Sequence, residues 1–288
     1  TFVVEEKFGF NKTSLKTFLM DMIKGTFISI IIGGLLLGAA LFLYDYFSEG
    51  FWIWLWIGLS LFTIFMSMFY TTLIVPIFNK LSPLKDGNLK DKIQNYSKEI
   101  GYSLKNIFII DGSKRSSKAN AYFSGLGPKK TIALFDTLVE KHTEEELVAV
   151  LAHEVGHYKK NHIKQGMFIS IIQIGLMCYL FELCTKLTEI SIALGAEIGA
   201  FHLGLIGFGL LFSPIGLILG IFGNIISRKN EFEADDFAKN TYNGESLKLA
   251  LKKLSVDSLT NLYPHPLYVF IHYSHPPLLE RLKALESN

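Results

Sequence analysis

Charge is what this chain does without over long distances. Residues 25–44 and 50–79 hold no Asp, Glu, Lys or Arg. Each run is long enough to cross a hydrocarbon core of about 30 Å, which takes about 20 helical residues. Residues 165–181, extended to about 186, and 198–227 read as two further spans, although Glu182 interrupts the third. One such run could be the buried helix of a soluble protein. Four in a chain of 288 residues, half of them hydrophobic and with a mean hydropathy of +0.33, define an integral membrane protein.

Other shortages exclude other classes. The only cysteines, Cys178 and Cys184, lie within and at the end of the third span, not in a metal-spaced pair, and read as small apolar packing residues. A net charge of +2, with no basic helix and no aromatic-basic repeat, argues against nucleic acid as a partner. There is no internal repeat and no low-complexity tract. The first apolar run follows a charged 24-residue lead and no small-residue cleavage site follows it, so it is not a cleavable signal peptide. The chain opens on Thr1 instead of methionine, and an upstream part is expected.

The charges that are present are sorted by side. Asp45 and Glu49 lie in one short linker, and Glu182, Lys186, Glu189 and Glu197 in another. The opposite segments carry Lys7, Lys12, Lys16 and Lys24, the lysine-rich stretch 80–164, and Arg228 with Lys229. The positive-inside rule makes these cytoplasmic, in a plasma or inner membrane if the source is prokaryotic and in the endoplasmic reticulum if it is eukaryotic.

Between the second and third spans the pattern changes. Residues 88–100 read as an amphipathic helix, and 106–110, 120–123 and 131–135 as short strands, with Gly125, Leu126, Gly127 and Pro128 as a turn. A helix starting near Thr143 is expected to run past Lys159, Lys160 and Lys164 into the third span, which sets it at the membrane boundary. Beyond the fourth span, 231–240 and 247–259 read as helices. Pro264, Pro266, Pro276 and Pro277 force an extended loop, and 278–285 closes the chain as a helix. The expected fold is mainly α, a multi-pass membrane helical bundle with a small α+β cytoplasmic insertion. Its segments are 1–79 (a lead and two spans), 80–142 (the insertion), 143–227 (the motif helix and two spans) and 228–288 (the C-terminal segment).

The chemistry centres on His153, Glu154, Val155, Gly156 and His157. Residues four apart on a helix lie one above the other, so both imidazoles face one way and can hold two corners of a tetrahedral zinc site. Glu154 then sits beside the open corner, where an activated water needs a base. Alone, the pattern recurs by chance. Thr143 followed by Glu146 is a capping-box pattern that starts the helix carrying it. A third ligand is required, and Glu231, Glu233, Asp235 and Asp236 are all available. Glu231 and Asp235 share a helix face and Glu233 points elsewhere; one of the pair could bind metal and the other could accept the spare N–H of a ligand His. Spacing does not choose between them, and without the His pair the cluster reads as an acidic helix start. His162, five residues past His157, falls off the ligand face and is expected to be solvated.

With these residues in view, the chain resembles the type I CAAX prenyl protease family of membrane zinc metallopeptidases. The likeness rests on His153-Glu-Val-Gly-His157, on Ser227-Arg-Lys-Asn-Glu-Phe-Glu-Ala-Asp235, and on His272-Tyr-Ser-His-Pro-Pro-Leu-Leu-Glu-Arg281. It also rests on the opening Thr1-Phe-Val-Val-Glu-Glu-Lys-Phe-Gly-Phe-Asn11 and on Gly112-Ser-Lys-Arg-Ser-Ser-Lys-Ala-Asn-Ala-Tyr-Phe123. It covers essentially the whole chain in order and implies about three further spans before Thr1. The resemblance implies one Zn2+ per chain held by His153, His157 and Glu231, with Glu154 as catalytic base and Asp235 as the carboxylate behind a ligand His. It further implies His275 and Arg281 as stabilisers of the oxyanion or proton donors, and Asn120, Ala121 and Tyr122 in an edge strand that pairs with the substrate backbone. The implied substrate is a peptide or protein, prenylated in the family and cut after the lipidated cysteine. Lys118 departs from the pattern, since relatives often have His there.

Two rival readings remain at this stage. A membrane quality-control peptidase of heat-shock type shares the chemistry, but the block from His272 to Pro277 favours the CAAX branch. A channel, scaffold or transporter that merely carries these residues would bind no zinc and would keep its function when Glu154 is replaced.

Overall fold

A computed structural model describes residues 1–47, 49–124 and 130–287. The turn expected at 125–128 lies outside them. The chain divides into two compact units, one of Thr1–Met22, Ser67–Ile163 and Gly223–Asn288, the other of Ile23–Met66 and Lys164–Phe222. In order the elements are α1 (Val4–Lys7), α2 (Leu15–Tyr46), α3 (Phe51–Leu73), α4 (Val75–Phe78), β1 (Leu81–Pro83), α5 (Asn88–Glu99), β2 (Leu104–Ile110), β3 (Ala121–Ser124), β4 (Lys130–Phe135), α6 (Asp136–Lys141) and α7 (Glu144–Lys159). Then follow α8 (His162–Lys186), α9 (Thr188–Ala193), α10 (Phe201–Ala238), α11 (Gly244–Asp257), α12 (Pro266–His272) and α13 (Leu278–Glu286). Among the described residues, the four helices long and apolar enough to cross a membrane begin at Leu15, Phe51, His162 and Phe201. All four expected spans are therefore helical.

The second unit has the surface that lipid permits. Leu35, Phe42, Leu61, Phe168, Leu210 and Phe222 are exposed, while a small centre of Ala40, Phe51, Leu55, Cys178 and Phe181 is buried. Both cysteines pack as small apolar groups. Glu182, the charge that interrupts the third span, accepts the backbone N–H groups of Gly50 at 2.8 Å and Trp52 at 2.9 Å. It thus supplies from α8 the acceptors that the start of α3 lacks locally. Gly175 leaves room for Trp56, whose ring lies 3.0 Å from where a β-carbon would stand and whose indole N–H donates to the Ile171 carbonyl at 2.8 Å.

The first unit holds the α+β part. Its sheet has the order β1-β2-β4-β3, with β2 and β4 parallel and the other pairs antiparallel. Its core joins Ile93 and Tyr96 of α5, Ile107 and Ile132 of the sheet, Leu147, Val148, Leu151 and Val155 of α7, and Leu247 and Leu251 of α11. α7 is thus a central helix, buried on most of its faces.

Several elements differ from expectation, three of them near the candidate site residues. α7 does not continue into α8: Asn161 adopts φ +63°, a left-handed conformation that asparagine tolerates, and the chain turns there. α10 is unbroken through residues 228–230, where a join between span and acidic helix was expected. The loop 264–277 contains α12, because a proline at the first helical position sacrifices no hydrogen bond and the His265 ring accepts the N–H of Leu267 at 3.2 Å.

Candidate metal centre and catalytic cleft

α7 starts where the capping box sets it. Thr143 Oγ1 accepts the Glu146 N–H at 3.3 Å, and Glu146 Oε2 accepts the Thr143 N–H at 3.1 Å. Lys253 neutralises the buried Glu146 at 2.8 Å. About three turns on, α7 meets α10 at Gly156, where a β-carbon would stand 3.0 Å from Ala234 Cα and 3.1 Å from its carbonyl oxygen. The missing side chain lets the two backbones approach, and that approach brings His153 and His157 to Glu231.

The donor atoms converge. His153 Nε2 lies 3.1 Å from His157 Nε2, Glu231 Oε1 lies 3.3 Å from His157 Nε2, and Glu231 Oε2 lies 3.5 Å from His153 Nε2. Bonds of about 2.0–2.1 Å at the tetrahedral angle would set ligand atoms about 3.3 Å apart. Glu231 Oε2 is buried and finds no aligned hydrogen-bond donor, although His275 Nδ1 is 3.0 Å away and Arg281 Nη1 3.3 Å away. Two ring nitrogens and an orphaned carboxylate oxygen facing one point suit a cation, and the residues fit zinc in number, type and spacing.

Around this cluster, His153 Nδ1 lies 2.8 Å from Asp235 Oδ1. Arg281 grips the same carboxylate with two hydrogen bonds, 2.8 Å from Nε and 2.6 Å from Nη2. Asp235 is 1% exposed, so its charge is held by this fork and not by water. The neighbouring Glu231 carboxylate raises the His275 pKa. Burial works against the Arg281 charge, yet Asp235 and then Glu231 hold its pKa above the ordinary arginine value.

A cleft of about 440 Å³ opens beside these groups and is lined by Asn120, Ala121, Glu154, His275 and Arg281 among others. The structure therefore gathers the proposed base, the two oxyanion candidates and the start of the edge strand in one place. Tyr122 does not line the cleft; burial pushes its phenol up to about 12. β3 is the last strand of the sheet, paired with β4 from Ala121 opposite Leu134 to Ser124 opposite Thr131. Asn120 precedes it and accepts the Phe135 N–H at 3.0 Å. Lys118 turns to Glu5 at 3.1 Å and lies over the Phe10 ring.

Sequence reasoning missed His162. It is 8% exposed and not solvated, with Nδ1 3.1 Å from His157 Nδ1 and Nε2 3.1 Å from Glu233 Oε2. A straight helix would have carried it away from His157. The only warning in the sequence was Asn161, a residue at ease where a helix turns off.

A His, His and Glu set at the spacing a cation needs, beside a carboxylate-bearing cleft in a chain with four membrane-length helices, has the architecture of a membrane metallopeptidase. The comparisons agree. The family model of peptidase family M48 matches residues 83–288, and that of the CAAX prenyl protease N-terminal region, five membrane helices, matches residues 1–80. The chain is 38% identical to a CAAX prenyl protease 1 homolog of Arabidopsis thaliana, over 99% of this chain and 68% of the relative. To CAAX prenyl protease 1 of Saccharomyces cerevisiae it is 38% identical, over 99% and 66%, and to the Homo sapiens homolog 35%, over 100% and 69%. The crystal structure of S. mikatae Ste24p superposes with a TM-score of 0.93 at 37% identity, covering 99% of this chain and 70% of that one. The chain belongs to peptidase family M48 and is an integral membrane metallopeptidase.

Proposed function

We propose that the chain is a zinc endopeptidase of the CAAX prenyl protease type, cleaving near the C-termini of prenylated peptides or proteins at the cytoplasmic face. The convergence of His153, His157 and Glu231 at ligand spacing, beside a cleft that also holds Glu154, is the observation that carries this reading. One Zn2+ held by these three would supply Lewis-acid activation of water and of the scissile carbonyl.

The residues divide the remaining work. Glu154 takes the proton of the attacking water and returns it to the leaving amine. His275 and Arg281 face the same oxygen of Glu231, but Arg281 has spent two of its three nitrogens on Asp235. His275, with a ring 66% exposed, is therefore the freer donor to a developing oxyanion, and Arg281 acts chiefly as fixed positive charge. Asp235 holds His153 in the tautomer that presents Nε2 to the metal. The outer edge of β3, with Asn120 before it and Ala121 and Tyr122 at its start, accepts the substrate as an added strand. The lysine-rich segments 1–24 and 80–164 support a cytoplasmic orientation, and the eukaryotic relatives support the endoplasmic reticulum.

The test measures zinc content and peptide cleavage side by side for wild type, Glu154→Gln and Glu231→Ala, with farnesylated and unmodified CAAX peptides. Glu154→Gln is expected to keep zinc and lose about 10²- to 10⁴-fold in cleavage; Glu231→Ala is expected to lose zinc. A wild-type protein that binds no zinc sinks the proposal, and equal cleavage of both peptides removes the prenyl preference.

A further inference from the structure

His157 presents Nε2 to the donor cluster and Nδ1 to the opposite side, where His162 Nδ1 lies 3.1 Å away. The two rings meet edge to face, at 72° with centroids 5.2 Å apart. His162 Nε2 then lies 3.1 Å from Glu233 Oε2, and Glu233 is 3.7 Å from Lys229. This contact depends on the turn at Asn161. On an uninterrupted helix, five residues amount to about 140° of rotation beyond a full turn, and the two rings could not meet.

One arrangement of protons satisfies every group. A neutral His157 that offers the Nε2 lone pair to a cation carries its proton on Nδ1. That N–H can be donated only to an unprotonated His162 Nδ1, which places the His162 proton on Nε2. Glu233, an acceptor at both oxygens when ionised, receives it. Each link fixes the next, and the chain ends on a carboxylate.

We propose that His162 and Glu233 are positioning residues that lock the tautomer and ring plane of His157. The inference rests on the reading of His153, His157 and Glu231 as zinc ligands. It makes the two histidine ligands unequal. His153 is backed directly by Asp235, whose side chain is 2% exposed and forked to Arg281. His157 is backed through an intervening imidazole by Glu233, whose side chain is 39% exposed. The first support is short and dry, and the second is longer and reaches the surface.

The test is zinc release from the full chain in detergent to excess chelator, followed with a colorimetric zinc reporter, alongside melting of the zinc-free protein. His162→Phe keeps the ring volume and removes the acceptor; it is expected to speed zinc release about 10- to 100-fold, the usual effect of removing such a support. His162→Asn places an amide oxygen near the position of Nδ1, where it accepts from His157, and is expected to recover most of the retention. Glu233→Gln, at a half-exposed position that threatens no fold, is expected to speed release by several-fold. Melting of the zinc-free protein should change little in all three. Wild-type release from His162→Phe would overturn the proposal, as would equal release from the Phe and Asn variants with matching losses of zinc-free stability, which marks a packing role. A wild type that holds no zinc overturns the ligand reading itself and the proposal with it.

Discussion

Gly156→Ala sets a local gain against a tertiary loss within one residue. Alanine in a helix interior is favoured over glycine by about 0.8–1.0 kcal/mol. Its β-carbon, however, would stand 3.0 Å from Ala234 Cα, 3.1 Å from the Ala234 carbonyl oxygen and 3.2 Å from Phe237 Cβ. Ordinary carbon contacts begin near about 3.5 Å, so α7 and α10 must part by about 0.5 Å. Overpacking of this kind costs about 1–3 kcal/mol, leaving the zinc-free protein about 0–2 kcal/mol less stable after the helix gain. The larger effect falls on the metal. His153 and His157 ride on α7 and Glu231 on α10, three residues before Ala234, so the parting separates the proposed ligands from each other. Metal bonds tolerate about ±0.2 Å, and the displacement exceeds that. Zinc affinity should fall by at least about 10-fold, as much as when a supporting residue is removed. Competition with a chromophoric chelator measures it, with thermal unfolding recorded with and without zinc. Wild-type zinc affinity together with a raised melting temperature of the zinc-free protein would show that the helices have slack and refute the reasoning.

Three further outcomes follow from the same geometry. Asp235→Asn removes the main partner of a buried Arg281, leaving Glu231 at 3.3 Å, and should destabilise the protein by up to about 3 kcal/mol, with much of the loss recovered in Asp235→Asn/Arg281→Met; a double variant no better than the single would argue against a charge effect. Glu182→Ala leaves the Gly50 and Trp52 N–H groups without their acceptor, at a cost of about 1–3 kcal/mol, and detergent melting that matches wild type would sink that assignment. Burial pushes the Tyr96 phenol up to about 12, against about 10 in an unfolded chain, so between those values the unfolded state binds fewer protons and stability falls as pH rises. Tyr96→Phe should flatten that alkaline decline in a series of melts, and equal slopes would contradict it.

The parts of the fold written in local pattern could be read directly. The uncharged runs became membrane-length helices, Thr143 and Glu146 formed their capping box, and His153 and His157 met on one face of α7. What was lost depended on single residues with two local options. Asn161 can sit within a helix or leave it left-handed, and only the second choice brings His162 to His157. Pro266 reads as a breaker, yet it opens α12. β1 is three residues long and ends in proline, too short and too weak in strand propensity to stand out. The choice between Glu231 and Asp235 was never local. Arg281, from the last helix, claims Asp235 with a two-pronged hydrogen bond and leaves Glu231 to face the two imidazoles.

If substrate pairs with β3 as proposed, the place of that strand at the margin of its sheet bears on selection. A margin strand offers only main-chain N–H and C=O groups, and every residue but proline carries both. A peptidase that grips its substrate there sorts by posture before it sorts by spelling: a segment must be free to lie straight over several residues, and one already wound into a helix or folded domain is refused. A proline at a position where the strand requires an N–H would act as a veto independent of any side-chain pocket.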